Sequence, residues 1–296
     1  MKLVMLHGRS QEDKDPEKLR HTWVTSLHQG ALKAGLELPL QRHDIVFPYF
    51  GDALRDVSNA EADSLALITI AEPHLNEDEF KCQILGECLD NVGVTEEVIA
   101  EEASPEVQAS GPLSVPWIQR GLELLDRFAP QVSAATLRYV AEDVALYLQD
   151  EQVRNYIEHG VAKAFEACGD DPNIVVVGHS FGSIVAYNML RKRNVVKTPV
   201  RALVTIGSPL AVKAIHRALR PIAYPPDVDS WFNAYDEDDA VALFPLDRSH
   251  FGDAQPIKNY GGVDNDTLNQ HGIRGYLSDR VVATHIIQEL TAGMEP

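Results

Sequence analysis

Ile174-Val175-Val176-Val177 runs directly into Gly178-His179-Ser180-Phe181-Gly182, and the residues that follow, Ser183 to Arg193, read as a helix. An unbroken run of β-branched residues is the pattern of a strand buried on both faces. The GxSxG that follows is the turn by which such a strand passes abruptly into a helix. Glycine on either side of the serine lets the backbones pass closely, and the serine is left in a strained conformation. Its Oγ then projects beyond the C-terminal edge of a sheet, above a helix N-terminus that favours developing negative charge. Ser180 is therefore the candidate nucleophile.

Outward from this stretch, short apolar runs alternate with helical periodicity. Lys2 to Leu6 reads as a strand ending at His7-Gly8, and Leu19, Trp23, Leu27, Ala31 and Ala34 fall at helical spacing before Gly35. Asp44 to Phe47 reads as a second strand, Gln152 to Ala167 as a helix, and Val200 to Ile206, Ser230 to Tyr235 and Pro256 to Tyr260 as further strands. A last helix is expected from Ser278 to Leu290. Six strands alternating with helices predict an α/β fold, a mostly parallel sheet with both faces covered.

One spacing departs from that pattern. More than 120 residues separate Phe47 from Ile174, where a single crossover helix would suffice. The expectation is one domain over 1–296 carrying a helical, lid-like insertion at 72–150. From Glu72 to Ser110 this segment holds 11 acidic residues and one basic residue, Lys81, a surface that could engage a protein partner. Farther on, Trp117, Ile118, Leu122, Leu124, Leu125 and Phe128 make an apolar stretch. Such a pattern suits packing against the sheet, and Trp117 and Phe128 are also candidates to line an acyl site.

The composition excludes several classes. The chain has 296 residues, 45% apolar and 24% charged, with 26 Lys plus Arg against 44 Asp plus Glu, a net −18. Nucleic-acid binding and spontaneous attachment to anionic lipid need the opposite sign. The three cysteines, Cys82, Cys88 and Cys168, have no CxxC spacing, so neither a disulfide framework nor a zinc site is expected. No apolar run reaches spanning length, and a cytoplasmic protein without stable membrane insertion is expected.

A serine hydroxyl becomes a nucleophile when a histidine takes its proton and a carboxylate orients that histidine. On an elbow of this kind the acid and then the base follow the serine along the chain. Of the four histidines beyond Ser180, His216 precedes the strand that should carry the acid, and His285 falls inside the last helix. His250 and His271 both lie in loops; His271, after the last strand and before the last helix, is favoured. The acid belongs to the loop after Ser230–Tyr235, where Asp236, Glu237, Asp238 and Asp239 crowd together. Asp239 is favoured because Ala240-Val241-Ala242 resumes an apolar stretch that anchors it, with Asp236 next. Oxyanion donors should come from the backbone of Phe181 and of the loop after the first strand, where Arg9 is the candidate.

Together these residues resemble the α/β-hydrolase superfamily. Gly207-Ser208-Pro209-Leu210 and Trp231-x-Asn233 ahead of Asp239-x-Val241 are similar to segments of its lipase and esterase branches, among them the GPI-inositol deacylases and lecithin:cholesterol acyltransferases. The resemblance implies an eight-stranded sheet, of which the first two strands are expected to be missing here. Two other features depart from the family: Ala240 stands where a proline often follows the acid, and the insertion precedes the nucleophile. The expected activity is hydrolysis of an ester, of a lipid or other acyl substrate, by Ser180, His271 and Asp239, with no metal or organic cofactor. Thioester, amide and acyl-transfer chemistry use the same machinery. The alternatives are a non-catalytic scaffold of this fold that binds a ligand or partner, and a hydrolase gated by a partner.

Overall fold

In the computed structural model, residues 1–8, 15–50, 77–192, 199–252, 257–267 and 269–292 are described. Among them, β1 (Lys2–Leu6), β2 (Ile45–Val46), β3 (Ile174–His179), β4 (Val200–Ile206), β5 (Val228–Ala234) and β6 (Lys258–Tyr260) form one sheet in the order β2-β1-β3-β4-β5-β6. Every pairing is parallel, with Met5 opposite Val177 and Val177 opposite Val204 in the centre. The chain first moves outward from β1 to β2, then returns to place β3 on the other side of β1. The C-terminal ends of β1 and β3 therefore bound the point where strand order reverses, which is where open α/β sheets form their crevices. The elbow stands at that point.

Alternation along the strands sorts their side chains onto two cores. Leu3, Met5, Val175 and Val177 face α1 (Pro16–Lys33), α10 (Ile273–Ser278) and α11 (Arg280–Thr291), with Trp23, Leu27, Tyr276 and Ile286 packed between. Val4, Leu6, Ile174 and Val176 face the opposite side. There α7 (Glu151–Glu166) and α8 (Phe181–Leu190) contribute Ile157, Val161, Ile184 and Tyr187.

Residues 77–149 fold as five helices: α2 (Glu77–Asn91), α3 (Glu96–Glu102), α4 (Pro105–Ser110), α5 (Val115–Phe128) and α6 (Ala134–Gln149). Their junctions are sharp because a hydroxyl caps each start: Thr95, Ser104, Ser114 and Ser133 accept the N–H groups of Val98, Val107, Trp117 and Thr136. Their apolar side chains, including Leu85, Leu122 and Val144, belong to the same core as Val4 and Val176. α9 (Lys213–Ala218), between β4 and β5, packs against α2.

Several element boundaries differ from the sequence expectation, three of them near the elbow and the loops that follow it. β5 spans Val228–Ala234, ending one residue before Tyr235. α8 begins at Phe181, directly after the serine. The expected last helix, Ser278 to Leu290, is α11, and a separate short helix, α10, precedes it where only a loop was expected. The Asp279 carboxylate between them accepts the N–H groups of Val281 and Val282 at the start of α11.

Candidate active site

Ser180 follows β3 directly and stands at the N-cap position of α8 with φ 53° and ψ −129°, a left-handed conformation unusual for a residue with a side chain. Glycines on both sides make the turn feasible. A Cβ on Gly178 would lie 2.7 Å from Ser183 Cα, and one on Gly182 would collide with the carbonyls of Leu6 and His7. The first turn of α8 thus rests directly on the end of β1. Gly8 approaches from the same side; a Cβ there would lie 2.8 Å from Ser180 Cβ.

Ser180 Oγ lies 2.6 Å from His271 Nε2, and His271 Nδ1 lies 2.8 Å from Asp239 Oδ2. All three residues are buried. An ionised carboxylate only accepts, so Nδ1 carries the imidazole proton and Nε2 is left to receive the serine's. Asp239 Oδ1 accepts the Val241 N–H at 3.0 Å, and Oδ2 also accepts the hydroxyl of Tyr276 at 2.7 Å. The carboxylate is therefore held at both oxygens inside a buried loop.

The other candidates fall elsewhere. Asp236 is buried too, but it accepts the N–H groups of Asp238 and Asn265, each at 2.9 Å. Burial, with Asp239 and Asp238 adding negative charge, raises its carboxyl above the usual carboxylate range in spite of those two bonds. His250 pairs with Asp247 at 2.8 Å and stacks on Phe244. His216 reaches the Phe251 carbonyl, and His285 stacks on Phe232.

The loop that carries His271 is gripped at three successive carbonyls. Asn265 Nδ2 donates to Gln270 O at 2.7 Å and to Gly272 O at 2.8 Å. His179 Nε2 lies 2.9 Å from the carbonyl of His271 itself, so it carries the proton of that bond. Asp236 fixes Asn265 in turn, and Gly275 leaves room for it: any side chain there would overlap the Asn265 amide. Burial first, then the proximity of His271, drives the His179 imidazole well below its ordinary value and keeps it neutral. Sequence reasoning did not single out His179, Asn265 or Tyr276. For His179 alone there was a signal, its place inside the elbow.

The Phe181 N–H belongs to the first turn of α8, where no intrahelical acceptor exists, beside Ser180. Its ring is core, edge-on to Phe50 and Tyr147. Arg9 lies outside the described residues. The adjoining His7 is buried, receives the Phe50 N–H at 3.1 Å and stacks on Phe50 with ring centroids 4.0 Å apart.

Trp117 is buried and lines a cavity of about 380 Å³ with Glu87, Lys213 and Arg217, a lining that includes neither Ser180 nor His271. Phe128 is 39% exposed, beneath the Arg127 guanidinium. Different residues of the insertion approach the base: Val132, Ser133, Thr136 and Leu137 share a small cavity with Val241 and His271. On α2, burial, with the charges of Glu87 and Asp239, pushes the Cys88 thiol up to about 12.

Among known families, the model of a PGAP1-like alpha/beta domain matches residues 138–242. That stretch includes the elbow and the Asp239 loop and stops before His271. The comparisons with curated proteins and with solved structures found no match. The six-stranded parallel sheet and this match make the chain an α/β protein with a hydrolase-like domain similar to the PGAP1-like family.

Proposed function

We propose that the protein is a serine hydrolase that cleaves an acyl ester through a covalent acyl-enzyme. The observation that carries this reading is the hydrogen-bonded series Ser180–His271–Asp239, at 2.6 and 2.8 Å, mounted on a strained elbow. Ser180 Oγ attacks the ester carbonyl as its proton passes to His271 Nε2. The imidazolium, stabilised by Asp239, then protonates the departing alcohol. The Phe181 N–H, with a second N–H from the loop after β1, receives the oxyanion. Water, activated by the same imidazole, releases the acid. The chemistry needs neither metal nor organic cofactor.

The substrate class of this reading is an ester of a lipid or other acyl group. The small cavity beside His271 is lined by Val132, Leu137 and Val241 but also by Ser133, Thr136 and Asn269, and neither Trp117 nor Phe128 belongs to it. The helices of 77–149 act as the lid in this reading, and their acidic surface is the place where a partner would gate it.

The test is labelling with a fluorophosphonate probe, mapped by mass spectrometry. Label on Ser180, lost in Ser180→Ala, is expected, and hydrolysis should fall about 10⁴-fold or more in that variant. His271→Ala should be nearly as damaging, and the double variant should add little, because the residues act as one unit. A folded wild-type protein that takes no label, or takes it on Ser183 or Ser208, would be a scaffold or would use another nucleophile. A series of esters of increasing chain length then reads the acyl preference.

A further inference from the structure

Orienting an imidazole requires one carboxylate oxygen, yet Asp239 Oδ2 receives two donors. His271 Nδ1 lies 2.8 Å away and the Tyr276 hydroxyl 2.7 Å away, on the same oxygen. We infer that Tyr276 is a positioning residue for the base: by sharing Oδ2 with His271, its hydroxyl fixes the carboxylate and limits how strongly that carboxylate draws a proton onto the imidazole. The inference rests on the Ser180–His271–Asp239 reading above.

Three features of the fold make this contact a built one. α10 begins two residues after His271, so the helix that follows the base carries Tyr276 back beneath the acid. The ring is fully buried and clamped. It packs against His179 at 5.9 Å, and a Cβ on Gly207 would lie 3.1 Å from it, so the hydroxyl has little freedom to swing away. Burial, with the negative charge of Asp239 and Asp236, also drives the ionisation of Tyr276 well above the ordinary tyrosine range. It therefore stays a donor wherever the imidazole titrates.

A carboxylate stripped of one donor concentrates its charge toward the remaining one. Without the Tyr276 hydroxyl, Asp239 would hold the imidazolium more tightly, and a higher pH would be needed to free Nε2. The other groups around this centre are unchanged by the substitution. They are Asp236 and Asp238 in the loop after β5, Glu87 and Cys88 on α2, His179 at the end of β3, and His7 after β1.

The experiment is the pH dependence of the rate at which a fluorophosphonate labels Ser180 in the wild type, in Tyr276→Phe, and in protein carrying 3-fluorotyrosine in place of tyrosine. In Tyr276→Phe the acid limb should move up by about one pH unit, with the plateau rate kept within roughly tenfold. Fluorotyrosine, a stronger donor that preserves the fold, should move the limb down, and the shift should vanish when fluorotyrosine is incorporated into Tyr276→Phe. A limb that stays put in both, with Ser180 labelled normally, would overturn the inference and leave the hydrolase reading intact. A lower plateau with an unmoved limb would make Tyr276 a packing residue only. Failure of the wild type to label at Ser180 would overturn both.

Discussion

Ser180 holds a backbone conformation that a side chain reaches only at a cost. Its φ of 53° with ψ of −129° is enforced by the pairing of Ser180 N–H with Ile206 O at 3.1 Å and by the start of α8 immediately after it. Strain of this kind is worth about 1–3 kcal/mol and persists where the surroundings over-determine it. Glycine adopts the same angles freely. Ser180→Gly should therefore abolish hydrolysis and raise the unfolding free energy by about 1 kcal/mol relative to Ser180→Ala, read by urea denaturation. Equal stability of the two variants would mean that the elbow carries no strain. The same neighbourhood shows why the acid had to be chosen by contacts. Asp236 and Asp239 are both buried three residues apart, and only Asp239 meets an imidazole.

At the scale of elements, one carboxylate of α2 adds to its apolar packing against the body of the fold. Glu87 accepts the Lys213 N–H at 2.7 Å and the Ala214 N–H at 2.8 Å, capping α9 from another helix, and Arg217 approaches to 3.8 Å. The next residue, Cys88, lies under the influence of Asp239. Glu87 thus couples the seating of α2 to the start of α9. Glu87→Ala should cost about 1–2 kcal/mol, the range of a lost cap with two charge-assisted bonds. Hydrogen exchange should quicken in α2 and α9 while the amides of β3 stay protected. Uniform acceleration across the sheet would show that Glu87 supports global stability and not the seating of α2.

For the whole molecule, two imidazoles set how stability responds to mild acid, one buried, His179, and one partly buried, His285. Burial lowers His179 well below, and His285 below, the ordinary 6.5. The folded chain then binds fewer protons than the unfolded chain beneath pH 6.5. Their contribution is fully present above that value and is lost as pH falls through it. Each imidazole steepens the loss by up to about 1.4 kcal/mol per pH unit. Denaturation curves at successive pH values from 7.5 to 5 should show this decline, and His179→Gln should reduce its slope by close to one proton. An unchanged slope in His179→Gln would mean that His179 is already charged in the folded protein. The net charge of −18 diminishes over the same range, so self-repulsion does not explain a decline of this sign.

What the sequence determined by itself is what depends on near neighbours. A β-branched run followed by GHSFG specifies strand, elbow and helix through backbone sterics, and the alternation of apolar runs with helical periods gives the parallel sheet. The elbow pointed to Ser180, chain order favoured His271, and the apolar stretch that follows favoured Asp239 over Asp236; the fold brings these three within hydrogen-bond distance. Tertiary structure decided what depends on loops far apart in the chain. Asn265 and His179 hold the His271 loop by its carbonyls, and Tyr276 bonds to an acid 37 residues earlier. No local pattern marks an asparagine or a tyrosine for such work. The same holds for Trp117 and Phe128: amphipathic spacing shows that α5 has an apolar face, and only packing decides which cavity that face lines. Trp117 went to a cavity against α9, while Val132 and Leu137 came to lie beside the base. Periodicity fixes a direction around a helix axis; the position of that helix over the sheet is set by the sum of contacts across the whole core.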